Sequence, residues 1–126
     1  MKLNAFIKKY DGEVLEDWGC VMSNDAKLFA RDFKSVVKDL FKDDDISLVG
    51  WLVGHFFVSG FLKKGDRYVY FSRNIERYGK AVDVEGHSWR NEHILVRKAK
   101  SDKDYTGGSN NFSTLLGFKE TVLRLF

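Results

Sequence analysis

The hydrophobic period of this chain changes once, at Ile46, and that change limits the folds open to it. Before it, Phe29, Phe33, Val36, Val37, Leu40 and Phe41 recur at i, i+4, i+7, i+8, i+11 and i+12, one face of a helix. After it, Ile46-Ser47-Leu48-Val49-Gly50-Trp51-Leu52 alternates with a period of two, as a strand does. A long amphipathic helix followed by a run of strands predicts an α+β domain rather than a bundle or a pure β fold. The length of 126 residues matches one domain, 1–126, and is short for two.

The helical signal is predicted over about 24–42. Ser23-Asn24-Asp25 supplies capping oxygens and negative charge at its start, and Asp43-Asp44-Asp45 ends it. Three successive carboxylates at a helix C-terminus read better as a solvated loop than as a metal site. A shorter helix is expected at Leu3 to Tyr10, where Leu3, Phe6, Ile7 and Tyr10 share a face before Asp11-Gly12. Glu13 to Met22 has no clean period.

Further strands are expected at His55–Leu62, Arg67–Ser72 and His93–Ala99, making an antiparallel sheet of about four strands. Lys63-Lys64-Gly65-Asp66 has hairpin length. Pairing Leu62 with Arg67 puts Phe56, Val58, Gly60, Val69 and Phe71 on one face, which should pack on the long helix. His55, Phe57, Ser59, Phe61, Tyr68, Tyr70 and Ser72 then share the other, a mixture of aromatic and polar groups unusual for a face that meets only water. Asn74 to Asn91 is rich in charge and glycine, with Val82 and Val84 as an edge-strand candidate. A polar loop, Lys100 to Asn111, leads to a closing helix near 111–126, capped by Asn111 or Ser113, with Phe112, Leu115, Leu116, Val122, Leu123 and Phe126 on one side.

Composition excludes several classes. With 11 Phe, 5 Tyr, 3 Trp and no Pro, the chain has the reverse of a disordered composition. Cys20 is the one cysteine, so there is no intrachain disulfide and no multi-cysteine zinc site. With no basic neighbour to activate it, Cys20 reads as a buried structural thiol. No apolar leader follows Met1, and Ile46–Leu62 is broken by glycine, serine and His55, so no membrane span is expected and the compartment reads as cytoplasmic. There is no P-loop, dinucleotide fingerprint or His-Glu-x-x-His, hence no catalytic motif, metal or cofactor to assign. Gly107-Gly108-Ser109 before the expected closing helix offers a phosphate-binding alternative to a plain flexible loop.

Charge is uneven beneath a net +3. Residues 1–50 hold 8 Lys and Arg against 10 Asp and Glu, and residues 51–126 hold 13 against 8. Within 63–103 the basic residues, Arg73 among them, outnumber the acidic ones 11 to 6, with Tyr68, Tyr70, Tyr78, Trp89 and Tyr105 threaded between them. Cations beside aromatic planes serve single-stranded nucleic acid, and Tyr with Arg also makes protein-interface anchors. The binding residues expected on either reading are Tyr68, Tyr70, Arg97, Lys98 and Tyr105, with Lys63, Lys64 and Arg67. A third reading uses His55 and His93 at one sheet edge for metal-independent RNA cleavage; His87 stands in a separate loop.

The run from His93 through Asn111, with Phe56-Phe57-Val58-Ser59-Gly60-Phe61 and Tyr68-Val69-Tyr70-Phe71-Ser72, resembles small uncharacterised proteins of phages and mobile elements in Gram-positive bacteria. The resemblance covers about residues 24–116. It implies a setting in which small accessory proteins counter host defence, anti-CRISPR inhibitors included, and therefore a host nucleic-acid-handling protein as partner. RNA or DNA itself is the alternative partner, and a homodimer stays open. A DNA mimic needs a strongly acidic surface, which a chain of net +3 lacks.

Overall fold

The computed structural model describes residues 1–10, 24–54, 57–74 and 94–126. In chain order the elements are α1 (Leu3–Tyr10), α2 (Asn24–Phe41), β1 (Ser47–Val53), β2 (Phe57–Lys64), β3 (Arg67–Asn74), β4 (Ile94–Ala99), β5 (Asn111–Ser113) and α3 (Phe118–Leu125). The fold is α+β: the strands form one antiparallel sheet in the order β1-β2-β3-β4-β5, with the helices packed on one of its faces.

The helix side is the core. Phe29, Phe33, Val36, Val37 and Phe41 of α2 are buried, as their spacing requires, against Val58, Leu62, Val69, Phe71, Ile94 and Val96 of the sheet. Phe71 touches three elements at once, its ring centroid 6.3 Å from Phe33, 6.3 Å from Trp51 and 5.3 Å from Phe118. It can lie flat over β2 because its cross-strand partner is Gly60. A Cβ there would come within 2.9 Å of the Phe71 ring and 3.0 Å of Leu48.

The β2–β3 register differs from expectation. Lys64 pairs with Arg67 and Leu62 with Val69, leaving the two-residue loop Gly65-Asp66. Gly65 has φ +61°, the conformation a type II′ turn demands of its first central residue. The slip is two residues, which equals the strand period, so the described side chains of both strands keep their predicted face, and His55 and Phe56 lie outside the described residues.

Trp51 reaches the core through a bulge. Val49 pairs with Phe61 but Leu52 pairs with Ser59, so β1 carries one extra residue in between. Val49 and Leu52 both lie on the face away from the helices, and Trp51 turns to Phe33 and Phe71. Gly50, at φ +62°, takes the bend.

The end of the chain corrects the predicted helix near 111–126 and the four-strand count. Residues 111–113 form a fifth strand, Ile94 pairing with Ser113 and Val96 with Asn111, and the helix begins only at Phe118. Neither Asn111 nor Ser113 caps it; the N-cap is Gly117, whose N–H donates to Thr114 Oγ1 at 3.1 Å. The buried stripe becomes Leu115, Phe118 and Val122, and Phe112, Leu116 and Leu123 are exposed. Arg73 also departs from expectation. It is buried on the helix side, with its guanidinium 5.3 Å and 5.5 Å from the Phe29 and Phe33 rings, so it is no part of a basic surface.

α1 is tied to α2 by Phe6, packed on Phe29 and Phe33, and by the buried carboxylate of Asp32. Lys9 Nζ and Tyr10 Oη each donate to Asp32 Oδ2 at 2.7 Å. Burial alone would raise the Asp32 pKa, but these hydrogen bonds and the charges of Lys9 and Arg31 outweigh it. The carboxyl is held below the ordinary aspartate value. A carboxylate stabilised this way contributes fully above its unfolded pKa of about 3.9, and the contribution is lost as pH falls through the lower native pKa. Asp32→Asn should destabilise the protein at pH 7 by about 2 kcal/mol. Urea melts as a function of pH should show the wild type losing this advantage below about pH 4, the two proteins converging there.

Candidate functional site

The sheet face opposite the helices carries the candidate site. Strand alternation places Lys63 of β2, Tyr68 and Tyr70 of β3 and Arg97 of β4 on it, and residues 100–110 fold back over it. The side chains form a row. Lys63 Nζ stands 5.6 Å from the Tyr68 ring, its cross-strand partner. Phe61 and Tyr70 lie 5.1 Å apart, and Tyr105 stacks on Tyr70 at 4.9 Å with 26° between the rings.

The 100–110 segment is held in place rather than left open. Lys100 and Ser101 N–H donate to Asp104 O, closing a small turn, and Thr106 donates to Asp104 Oδ1 through both its N–H and its hydroxyl. Those two bonds hold the Asp104 carboxyl below its usual range. Arg97 Nη2 donates to Gly108 O at 2.5 Å, and the guanidinium also lies 5.9 Å from the Tyr105 ring. Gly108 is pressed against β4: a Cβ there would sit 2.5 Å from Lys98 O and 2.9 Å from Lys98 N. At the other edge Gly50 admits Asp102 O, 3.2 Å from where its Cβ would be. Phe61 and Ser59 are consequently buried on a face without a helix among the described residues. Tyr105 stays half exposed, and Leu52 and Phe112, whose partners Ser59 and Leu95 share this face, are more exposed still.

Three residues expected at the site are elsewhere. Lys98 follows Arg97 directly, so it projects to the helix side with Ile94 and Val96, and Lys64 and Arg67 do the same at the hairpin. Arg67 is already used: its Nη1 donates to Phe126 O at 2.6 Å, at the end of α3. This division was legible in the alternation of the strands. The latch of Gly108 against Lys98, and the contribution of Phe61 beneath Tyr70, were not foreseen; only the period-two pattern pointed to Phe61.

The phosphate-loop reading of Gly107-Gly108-Ser109 does not survive, because a strand and not a helix N-terminus follows it. Asp43-Asp44-Asp45 is a turn, with Asp44 paired to Lys119 at 3.2 Å. No group of three or more His, Cys, Asp or Glu side chains could hold a metal ion among the described residues. His55, His87, His93 and Cys20 lie outside the described residues, as do Tyr78, Trp89, Val82 and Val84. No described helix is long and apolar enough to cross a membrane.

The chain matches no protein-family model, no curated protein and no solved structure. The site therefore rests on its own geometry.

Gly108→Ala tests the latch. The new methyl meets backbone, which cannot give way as a side chain can, so the loop should lift from Tyr70. We expect the near-ultraviolet circular dichroism of the tyrosines to fall and stability to drop by about 1–3 kcal/mol, with far-ultraviolet spectra unchanged.

Proposed function

We propose that this protein is a non-enzymatic binding protein that takes a protein partner on the sheet face that carries no described helix. The observation that carries this reading is the row Phe61–Tyr70–Tyr105, braced by Arg97 and flanked by exposed Leu52 and Phe112. Rigid aromatics around an apolar, partly desolvated centre are the composition of protein-interface anchors. Following the resemblance in sequence, we take the partner to be a host nucleic-acid-handling enzyme that a mobile-element accessory protein binds and inhibits or modulates, as anti-CRISPR inhibitors do.

Single-stranded nucleic acid fits this face less well. Base stacking needs open rings and phosphate binding needs cations on the same surface. Here Tyr70 is already stacked, Arg97 is engaged by Gly108, and Lys64, Arg67 and Lys98 lie on the other side.

Affinity capture from a Gram-positive host lysate at about 50 and 200 mM salt separates the readings. We expect one host enzyme to be retained at both salts, and Tyr105→Ala to weaken its measured affinity about 30-fold. Lys64→Ala with Lys98→Ala should leave it unchanged. A labelled single-stranded RNA that binds at low salt and is released at the higher one, with no protein captured, would favour the nucleic-acid reading instead.

A further inference from the structure

Tyr70 and Tyr105 are far apart in sequence and meet ring to ring. A centroid separation of 4.9 Å with 26° between the planes is an offset stack, in which the edges of the two rings overlap. Tyr70 rests on Phe61, and Tyr105 is steadied by Arg97, which also grips Gly108 O in the same segment. Neither phenol hydroxyl has a hydrogen-bond partner among the described residues. Tyr105 is 50% exposed, so a solute reaches its ring from solvent. The other tyrosines differ. Tyr10 is buried against Phe6 and Phe29, Tyr68 has Lys63 over its ring, and Tyr78 lies outside the described residues.

We propose that Tyr70 and Tyr105 form an oxidative modification site, at which a one-electron oxidant couples the two phenols into a dityrosine within one chain. The co-reactant class is a peroxidase intermediate or a photo-oxidised metal complex, acting twice. Each phenol gives one electron to the oxidant and its hydroxyl proton to water, leaving a tyrosyl radical on each ring. A carbon–carbon bond then forms between the ring carbons ortho to the two oxygens. The hydrogens at those carbons leave as protons while both oxygens are reprotonated, and both rings regain aromaticity. In sum the chain loses two hydrogen atoms, the oxidant takes two electrons and water takes two protons.

The stack supplies what this coupling needs. Two radicals must meet before either is quenched, and holding the rings in contact turns an encounter between molecules into a step within one. Because neither hydroxyl is tied down, each ring is free to make the small slide that brings ortho carbons together. The product joins the 100–110 segment covalently to β3, where Arg97 and the close fit of Gly108 already hold it. That segment then cannot lift from the sheet. The site depends on the two rings alone, whatever partner the face takes.

Brief illumination of the full chain with a ruthenium tris-bipyridine complex and persulfate tests the proposal. We expect dityrosine fluorescence in a species that runs as a monomer on a reducing gel, lighter by two hydrogens, with a yield independent of protein concentration. Tryptic mapping should join the peptide Tyr68–Arg73 to Asp104–Lys119, with fragmentation placing the bond at Tyr70 and Tyr105. Tyr70→Phe and Tyr105→Phe keep a ring but cannot form the radical, and each should lower the yield at least about tenfold. Gly108→Ala keeps both tyrosines and should lower it as well, once the tyrosine circular dichroism shows the loop lifted. Where that variant fails to fold or leaves the loop in place, the map and the two phenylalanine variants decide. A bond mapped to Tyr10, Tyr68 or Tyr78 overturns the proposal. So do cross-linked dimers alone, tyrosine oxidation without coupling, or a yield that survives a lifted loop.

Discussion

The ring of Phe71 lying over the bare backbone of Gly60 is the contact on which the rest of the structure depends. One side chain at the centre of the sheet meets Phe33 of α2, Trp51 of β1 and Phe118 of α3. Its position requires a partner with no Cβ, because the space a methyl group would take is filled by the Phe71 ring and Leu48. Interiors are packed as densely as organic crystals, so moving this ring would propagate into every element it touches. The bulge at Gly50–Trp51 belongs to the same arrangement: without the extra residue Trp51 would point away from Phe71.

The described helices crowd onto the Phe71 side, so among the described residues the other face is left to side chains and to the 100–110 loop. The chain deals with that face by covering part of it with its own residues. Tyr105 stacks on Tyr70, Arg97 grips Gly108, and Asp102 approaches Gly50. The price is a loop conformation that glycine alone accommodates at 108, where the Lys98 backbone leaves no room for a side chain. What stays exposed is a rim of Tyr105, Leu52 and Phe112 around a rigid aromatic centre. Cations are thinner there than the sequence window from 63 to 103 implies, since alternation sends Lys64, Arg67 and Lys98 to the helix side and Arg73 into the core.

Much of this was readable in advance. The spacing of Phe29, Phe33, Val36, Val37 and Phe41 predicts α2 and its buried face, both as observed. The faces of β2 and β3 also came out as expected, although the hairpin register is two residues away from the expected pairing, because a slip of one full period leaves side-chain direction unchanged. The strand at 111–113 in place of the expected helix has a physical cause. Asn-Phe-Ser has no strong local preference, and its strand exists because the Ile94–Val96 edge presents free hydrogen-bonding groups and Asn111 Nδ2 donates to the Ser109 and Val96 carbonyls. Arg73 departs from the expected surface position because, although a guanidinium counts as surface by type, its flat cation can lie against the rings of Phe29 and Phe33.

The sequence by itself determined the α+β class, the long helix and its buried stripe, and which side chains of the hairpin share a face. These follow from local periodicity, a property of neighbouring residues along the chain. Only the tertiary structure decided that a fifth strand precedes α3, that the 100–110 loop closes onto Tyr70, and that the basic residues divide between two faces and the core. Each of those depends on contacts between segments far apart in sequence, whose energies are set by shape and by which backbone groups are left to pair.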